Sequence, residues 1–316
     1  MRVVVVGAGL SGIIAASELT AAGHDVIALE RGRSPGGRLA TRRIGAATLD
    51  HGAQFFTIRS DAFAAIVEPY LTSGLVYEWC RGFTDGGDGY PRYAVHGGMN
   101  ALAKSLAADV DVRCNSFVFV IRRGGVGAPA WEVGLDDGTS VAADALVLTC
   151  PTPQSSALLL SAEVVLPAEL RAADYDRTLA VLLTLDRAST MAAPGGLQNP
   201  NDVMSFITDN QRKGISTTPA LTVHANAAWS QAHWNDDPAM IIAALAAAAA
   251  PFTGAATIVE AQLKKWRFAT PRSIWPEPCW VAADAPVVVA GDAFAGPKIE
   301  GAALSGLAAA AAISSL

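Results

Sequence analysis

The 316-residue chain has no apolar run of the roughly 18 residues that a membrane-spanning helix needs. Its nearest approach, Met240 to Ala250, is alanine-rich and stopped by Pro251. Cysteine is scarce: Cys80, Cys114, Cys150 and Cys279 are scattered with no CxxC pair. That excludes a disulfide frame or a zinc site and reads as reduced thiols in a cytoplasmic protein, with no metal. Charge is also scarce, at 16% of residues with a net charge of −6, so neither nucleic acid nor an anionic membrane is an expected partner. Internal repeats, long low-complexity linkers, an acid–base dyad and an activated nucleophile are absent from the pattern as well. A secretory leader does not fit the N-terminus, because Glu18 and Asp25 interrupt its apolar run. What is present is a 51% hydrophobic chain, long enough for two domains that each bury a core.

The most informative stretch is the first thirty residues. Val3 to Val6 is a continuous apolar run, as in a parallel strand buried on both faces. Gly7-Ala8-Gly9-Leu10-Ser11-Gly12 follows, then a helical segment over Ile13 to Ala22, a turn at Gly23 to Asp25, and a second buried strand ending in Glu30. This is a βαβ unit with the dinucleotide-binding fingerprint in its required context. Gly7 allows the tight turn, Gly9 lets the backbone approach a pyrophosphate, and Gly12 permits close helix–strand packing. The helix directs its free N–H groups and positive dipole end at the phosphates. Glu30 is placed to accept hydrogen bonds from the hydroxyls of an adenosine ribose.

Arg31 to Arg38 is a glycine-rich, basic loop, unlike a crossover helix, and suited to laying N–H groups and a guanidinium along more of a cofactor. Asp50-His51-Gly52-Ala53-Gln54-Phe55-Phe56-Thr57 combines small residues, a side-chain amide and two rings that point opposite ways if extended. Ser60 is the expected cap of a helix through Leu71. Strands are expected at 76–80 and 90–95 around the turn Asp85 to Gly89, followed by a helix from His96-Gly97-Gly98-Met99 to Leu106. Further strands are expected at 110–113 and 117–122, and a hairpin over 131–142. A buried strand at 144–149, ended by Pro151 and Pro153, is expected to rejoin the first sheet.

From Gln154 to about Thr270, apolar alternation at 179–185, 203–207 and 221–225 predicts an antiparallel sheet with one face on a core and one on a cavity. Asn235 or Asp236 is the expected cap of the alanine-rich helix with Pro238 in its first turn. Near the C-terminus, a buried strand at 286–290 runs into Gly291-Asp292, and a helix of small residues follows Gly296. An acid at a strand end can hold a sugar-alcohol hydroxyl, and a helix N-terminus beyond it stabilises negative charge on a ring. A flavin carries both features, whereas a nicotinamide dinucleotide has no ribitol.

Gly7 to Gly12 with Glu30, Gly36-Gly37-Arg38 and Gly291-Asp292 together resemble the FAD-binding amine oxidase superfamily. Within it, Asp50 to Thr57, Tyr93 to Leu106, Trp229-Ser230, Trp266 to Pro271 and the run from Gly291 to Ala302 resemble renalase, especially bacterial renalase-like proteins. The resemblance implies an α/β chain, with a Rossmann-type FAD-binding domain over 1–60, 98–150 and 281–316. A smaller α+β substrate domain built on an antiparallel sheet would be interleaved with it, over 61–97 and 151–280. It also implies an oxidase that returns 2- and 6-dihydro isomers of NAD(P)H to β-NAD(P)⁺ and passes electrons to O2, giving hydrogen peroxide. Gly7, Gly9, Ser11 and Gly12 would bind pyrophosphate, Glu30 the adenosine ribose, and Arg31 and Arg38 the adenosine and phosphate–flavin path. Asp292 would hold ribitol, and the amides of Glu300, Gly301, Ala302 and Ala303 would face the flavin pyrimidine. Leu10, Gly37, Gln54, Phe55 and Val118 complete the implied cofactor set. Gln54, Phe56, Thr57 and Arg59 would line the substrate face, with Tyr93, His96, His224 and Trp229 opposite.

Two other readings stay open on the residues. An amine or amino-acid oxidase would use aromatics such as Tyr93, Trp229 and Trp266, and a flavin- or nucleotide-binding sensor would not turn over. The expected protein is a monomer or homodimer acting on a small molecule, without nucleic acid or membrane.

Overall fold

A computed structural model describes residues 1–83, 87–125 and 127–316. Asp85 and Gly86 of the expected 85–89 turn lie outside the described residues. The chain divides into two compact units, each assembled from separated segments: Met1–Gly37, Ala103–Asp174 and Pro271–Leu316 form one, and Arg38–Leu102 and Tyr175–Thr270 the other. This grouping differs from the sequence-based boundaries at 38–60 and 98–102, which join the second unit, and at 151–174 and 271–280, which join the first. The units are nearly equal in length.

The first unit is an α/β layer structure. Its strands, numbered along the whole chain, are β1 (Arg2–Val6), β2 (Asp25–Leu29), β7 (Asp111–Arg113), β11 (Ala145–Leu148), β17 (Trp280–Val281) and β18 (Val287–Val289). They form one sheet in the order β17-β18-β11-β1-β2-β7, parallel except for β17 at the edge. Val3 to Val6 are almost wholly buried, so both faces of this strand are covered, which is why it reads as an unbroken apolar run. Helices α1 (Leu10–Ala21) and α8 (Lys298–Ser314) pack Ala15, Ala16, Leu19, Ala309, Ala310 and Ile313 onto Val3, Val5, Val147 and Val288. Small residues let these helices close on each other: a Cβ on Gly306 would fall 2.4 Å from the Ser11 carbonyl oxygen.

A second antiparallel sheet in this unit joins β8 (Val118–Arg123), β9 (Trp131–Leu135) and β10 (Ser140–Ala143). After β11 the two prolines do more than end the strand. Pro151 is the N-cap and Pro153 a first-turn residue of α4 (Thr152–Leu160), where a missing N–H costs nothing; a short α5 (Ala168–Arg171) follows.

The second unit is built on a five-stranded sheet. Its strands are β12 (Tyr175–Leu185), β13 (Gly196–Gln198), β14 (Met204–Asp209), β15 (Ala220–Ala225) and β16 (Ile258–Pro271), in the order β13-β14-β15-β12-β16. The pairs β13–β14, β14–β15 and β15–β12 are antiparallel. Side-chain alternation divides the faces. Leu179, Val181, Leu183, Ile207 and Val223 point at α7 (Pro238–Thr253), burying Ile241, Leu245 and Ala249. Leu182 and Ala220 meet Ile44, Ala47 and Leu49 of a hairpin formed by β3 (Thr41–Ile44) and β4 (Ala47–Asp50).

The remaining elements of this unit are α2 (Asp61–Thr72), β5 (Val76–Cys80), β6 (Arg92–Val95), the start of α3 (Met99–Leu106), and α6 (Ala227–Ala232). Ser60 caps α2 as expected, accepting from Phe63 N–H at 3.3 Å. The cap of α7 is Asp237, which accepts from Ala239 N–H, and not Asn235 or Asp236. Asp236 pairs instead with His233 Nδ1 at 2.7 Å, so it has another partner. The α/β class and the antiparallel-sheet unit are as the sequence implies.

Candidate functional site

Two constellations carry chemistry, one in each unit. In the first, the turn out of β1 is shaped by backbone. Gly7 has φ +100°, and a Cβ on Gly12 would lie 2.0 Å from the Gly7 carbonyl oxygen, so both positions need glycine. Gly9 differs: its φ is −70° and no atom of the chain lies within 4 Å of a Cβ placed there. The space above Gly9 at the start of α1 is therefore open to a ligand. Ser11 Oγ is buried with no hydrogen-bond partner, an unspent donor in the same helix turn. Leu10 beside it is buried.

Glu30 accepts from Ala8 N–H at 3.0 Å and Gly32 N–H at 2.7 Å, which fixes its carboxylate beside the glycine turn with lone pairs to spare. Gly36 N–H reaches Ala8 O at 2.7 Å, and Gly9 and Gly36 form an isolated bridge, so the 31–37 loop folds back over the turn. Gly37 and Arg31 are exposed on that loop. Val118 is buried just beyond Asn115 and Ser116, whose N–H groups bond Gly32 O and Glu30 O at 2.9 Å each. Burial first, then the Glu30 charge, pushes the Cys150 thiol up to about 12, so that cysteine is no nucleophile here.

The late segment completes this side. Gly291 has φ +143°, its N–H donates to Ser305 Oγ at 2.8 Å, and Asp292 is buried at the end of the sheet. Gly301 packs so tightly that a Cβ would meet Gly296 O at 1.8 Å; Glu300 to Ala303 lie in the first two turns of α8. The cradle over Gly9, the orphaned Ser11 hydroxyl, the carboxylate of Glu30 beside the glycine turn and the acid Asp292 fit an adenine–flavin dinucleotide.

In the second unit the sheet face turned toward the β3–β4 hairpin holds a buried ion pair. Lys213 Nζ donates to Asp50 Oδ2 at 2.7 Å, and neither side chain has any exposure. Asp50 Oδ1 also accepts from Thr41 Oγ1 at 2.6 Å and Met99 N–H at 2.8 Å. The Asp50 carbonyl accepts from Gln54 Nε2 and Thr222 Oγ1 at 2.8 Å each. Tyr77 O–H donates to the Lys213 carbonyl. One aspartate thus ties together the end of β4, the start of α3, β15 and the turn after β14.

The residue after Asp50 lies on the same face. His51 stacks on Trp266 of β16 at 5.3 Å, and its carbonyl accepts from Trp266 Nε1–H at 2.7 Å and from His224 Nε2–H at 3.1 Å. Burial, followed by the Lys264 charge, lowers the His51 imidazole from 6.5 to about 4. Burial likewise takes His224 to about 4, so both rings are neutral at pH 7. Gln54 is buried, and its Oε1 has no partner.

The structure brings Gln54, His51 and His224 together and disperses the other expected substrate residues. Phe56 is buried against Phe63 and Tyr93, with reciprocal backbone bonds to Tyr93 of 3.1 and 2.8 Å. Thr57 is half-buried; Arg59 lies 3.9 Å over the Tyr90 ring; exposed His96 stacks on Tyr77 at 4.3 Å. Trp229 packs with the α7-side core and lies tilted against the His233 ring at 4.2 Å, on the face opposite His224. Phe55 sits among Trp79, Phe83 and Phe206, and Arg38 Nη1 bonds Ala269 O at 3.1 Å. Sequence reading misses Lys213, Arg42 and Lys264 altogether. The partner of Lys213 is 163 residues away, and nothing local distinguishes any of the three from surface cations.

Comparison with known proteins agrees with this geometry. Residues 5–68 match the NAD(P)-binding Rossmann-like domain, and residues 59–314 match the family described as flavin containing amine oxidoreductase. A protein of Mycobacterium tuberculosis named as a flavin-containing monoamine oxidase is 44% identical over 64 residues, which span 20% of this chain and 14% of that relative. The fold is similar to that of cyclohexylamine oxidase from Brevibacterium oxydans, at a TM-score of 0.73 and 16% identity over 99% of this chain and 98% of that one. It is equally similar to putrescine oxidase bound to putrescine, at 0.73 and 16% over the whole of both chains.

The two depressed histidines give a pH dependence of stability. Between about 6.5 and about 4 the unfolded chain binds protons that the folded imidazoles refuse, so stability falls as pH falls through that window. The thermal midpoint, followed from pH 7 to pH 4.5, is expected to drop, and His224→Asn to reduce the drop. A midpoint unchanged over this range would contradict the burial of neutral imidazoles.

Proposed function

Because the chain belongs to the flavin-containing amine oxidoreductase family, we propose that it is an FAD-dependent oxidase of the 2- and 6-dihydro isomers of NAD(P)H, releasing β-NAD(P)⁺. FAD, when bound, supplies the hydride acceptor, with dioxygen taking the electrons on to hydrogen peroxide. Gly7, Gly9, Ser11 and Gly12 hold its pyrophosphate, Glu30 its adenosine ribose and Asp292 its ribitol.

One observation carries the choice of substrate: among the described residues, the buried sheet face offers no effective proton acceptor. Asp50 is spent on Lys213, Thr41 and Met99 N–H, and the two imidazoles have pKa values of about 4. An ammonium substrate must give up a proton before it can release hydride, and an imidazole this acidic is a poor base for that step. A dihydropyridine needs none, since its ring nitrogen pushes electron density as hydride leaves and aromaticity is regained. What is left to the protein is to exclude water and to orient the ring. Gln54 is suited to orienting it. Its buried Oε1 is an unspent acceptor for the carboxamide N–H of a nicotinamide, and its Nε2 is anchored on Asp50 O and Gly52 O.

The alternative is an amine oxidase, which the family and the fold neighbours favour at a coarser level. Anaerobic mixing separates the two. Borohydride-treated NAD⁺ is expected to bleach the flavin rapidly with β-NAD⁺ as product, while putrescine, cyclohexylamine and authentic β-NADH do not. Bleaching by an amine and not by the isomers would overturn the proposal. The cofactor assignment has its own test in Gly9→Ala. The added methyl meets no chain atom and φ is ordinary, so the fold is expected to persist while FAD affinity falls about tenfold or more, near 1.4 kcal/mol. Full FAD retention would show that the cradle over Gly9 is not the phosphate site.

A further inference from the structure

The same sheet face carries two cations that the protein leaves uncompensated. Arg42 lies on β3, and by strand alternation shares a face with Ile44, which is packed against Leu182 and Ala220. Among the described residues Arg42 makes no ion pair, and its Nε is buried without a hydrogen-bond partner. Lys264, on β16 two residues before Trp266, makes one polar contact among the described residues, a 3.3 Å hydrogen bond to the neutral amide of Gln262. His51 joins the two strands: its N–H bonds Ala40 O at 2.9 Å beside β3, and its ring stacks on Trp266 on the Lys264 side of β16; burial and then the Arg42 charge lower the Lys264 pKa. Both also act on His51, whose Nδ1 is buried without a partner and whose ring is fixed by Trp266.

Such a group is costly in the free protein. Partly buried like charges with orphaned donors are normally paired, and among the described residues neither is in direct contact with a carboxylate; Glu260 reaches Lys264 only through the Gln262 amide. Asp50, the acid next in sequence to His51, is taken by Lys213. Other cations of this unit do have partners: Arg92 pairs with Asp88 at 2.6 Å, Arg81 pairs with Glu78 at 2.7 Å, and Lys265 bonds Trp234 O at 2.7 Å. A ligand anion would supply the counter-charge that Arg42 and Lys264 lack. Arginine presents a fork that matches the oxygens of a phosphoryl group, and a neighbouring lysine adds a point charge, a common division of labour around phosphates.

We propose that Arg42 and Lys264, flanked by His51, form an anion subsite that receives a phosphoryl group of the dinucleotide substrate. The proposal rests on the dihydronicotinamide dinucleotide reading, because a simple amine has no such group. An amino-acid substrate would bring a carboxylate to the same cations, and that is one outcome of the test.

The experiment uses the FAD-loaded protein and inorganic pyrophosphate as probe, with binding followed by calorimetry. Arg42→Gln and Lys264→Met are each expected to weaken pyrophosphate binding about tenfold. Lys265→Met, on the opposite face of β16 where its ammonium bonds Trp234 O at 2.7 Å, is expected to change nothing. Arg42→Lys should recover part of the loss, which a purely structural role would not predict. In turnover of the isomers the two variants should raise KM with kcat nearly unchanged, and raise it less for a dihydronicotinamide that lacks phosphate. Pyrophosphate binding that is absent, or equal in wild type and variants, overturns the subsite even if the isomers are oxidised. Binding lost in the variants while the isomers fail to bleach the flavin keeps the anion subsite and removes the dinucleotide reading. Displacement by L-amino acids and not by pyrophosphate would assign a carboxylate and overturn the phosphoryl assignment. Loss of FAD from the variants would give the charges to the cofactor and also overturn it.

Discussion

The second unit depends on a single charge pair removed from water. Asp50 and Lys213 are 163 residues apart in sequence and 2.7 Å apart in space, with no exposed side-chain area. Burying two ions costs several kcal/mol each, and their attraction offsets that only where the remaining lone pairs and protons are satisfied. Here Thr41 and Met99 N–H take up the second carboxylate oxygen, and the Asp50 carbonyl holds Gln54 and Thr222. The pair therefore fixes the direction in which the chain leaves β4. Everything from His51 to Phe56 inherits its position from that exit.

That geometry has an electrostatic consequence. With the aspartate neutralised by lysine and both imidazoles held uncharged by burial, the sheet face around His51, His224 and Gln54 has no strong base. Under the proposed function, reactivity comes from a bound group and a substrate that needs no deprotonation. The first unit has its own constellation, made by backbone as well as side chain: a glycine turn, the start of α1 and a carboxylate pinned by two N–H groups. Polar functions left unpaired in the two units, Ser11 Oγ, Gln54 Oε1, His51 Nδ1 and Arg42 Nε, sit where ligand chemistry is proposed.

Local physics makes part of this legible in advance. The first thirty residues can be read because strand, glycines, helix and Glu30 are neighbours in sequence and each imposes its own constraint. The strands at 179–185, 203–207 and 221–225 can be read because their two faces meet different surroundings, and the Ser60 cap because it lies three residues from its donor. β16 escapes such reading, since Lys264, Lys265 and Arg267 mask its alternation on an edge strand, and the β3–β4 hairpin is short and basic. The cap of α7 is misplaced by one or two residues among three candidate acceptors. Lys213 is beyond reach in principle: a lysine in a polar turn looks like surface, and only the fold shows that an aspartate waits for it.

The most direct measurement is a double-mutant cycle on that pair, using thermal and denaturant unfolding of the FAD-loaded protein. Lys213→Met alone leaves a buried, unpaired carboxylate and should cost about 3–5 kcal/mol. Asp50→Asn with Lys213→Met removes both charges while keeping an acceptor for Thr41 and Met99 N–H, and should recover most of that loss. A single variant as stable as wild type, or a double variant no better than Lys213→Met, would contradict the view that this ion pair organises the site.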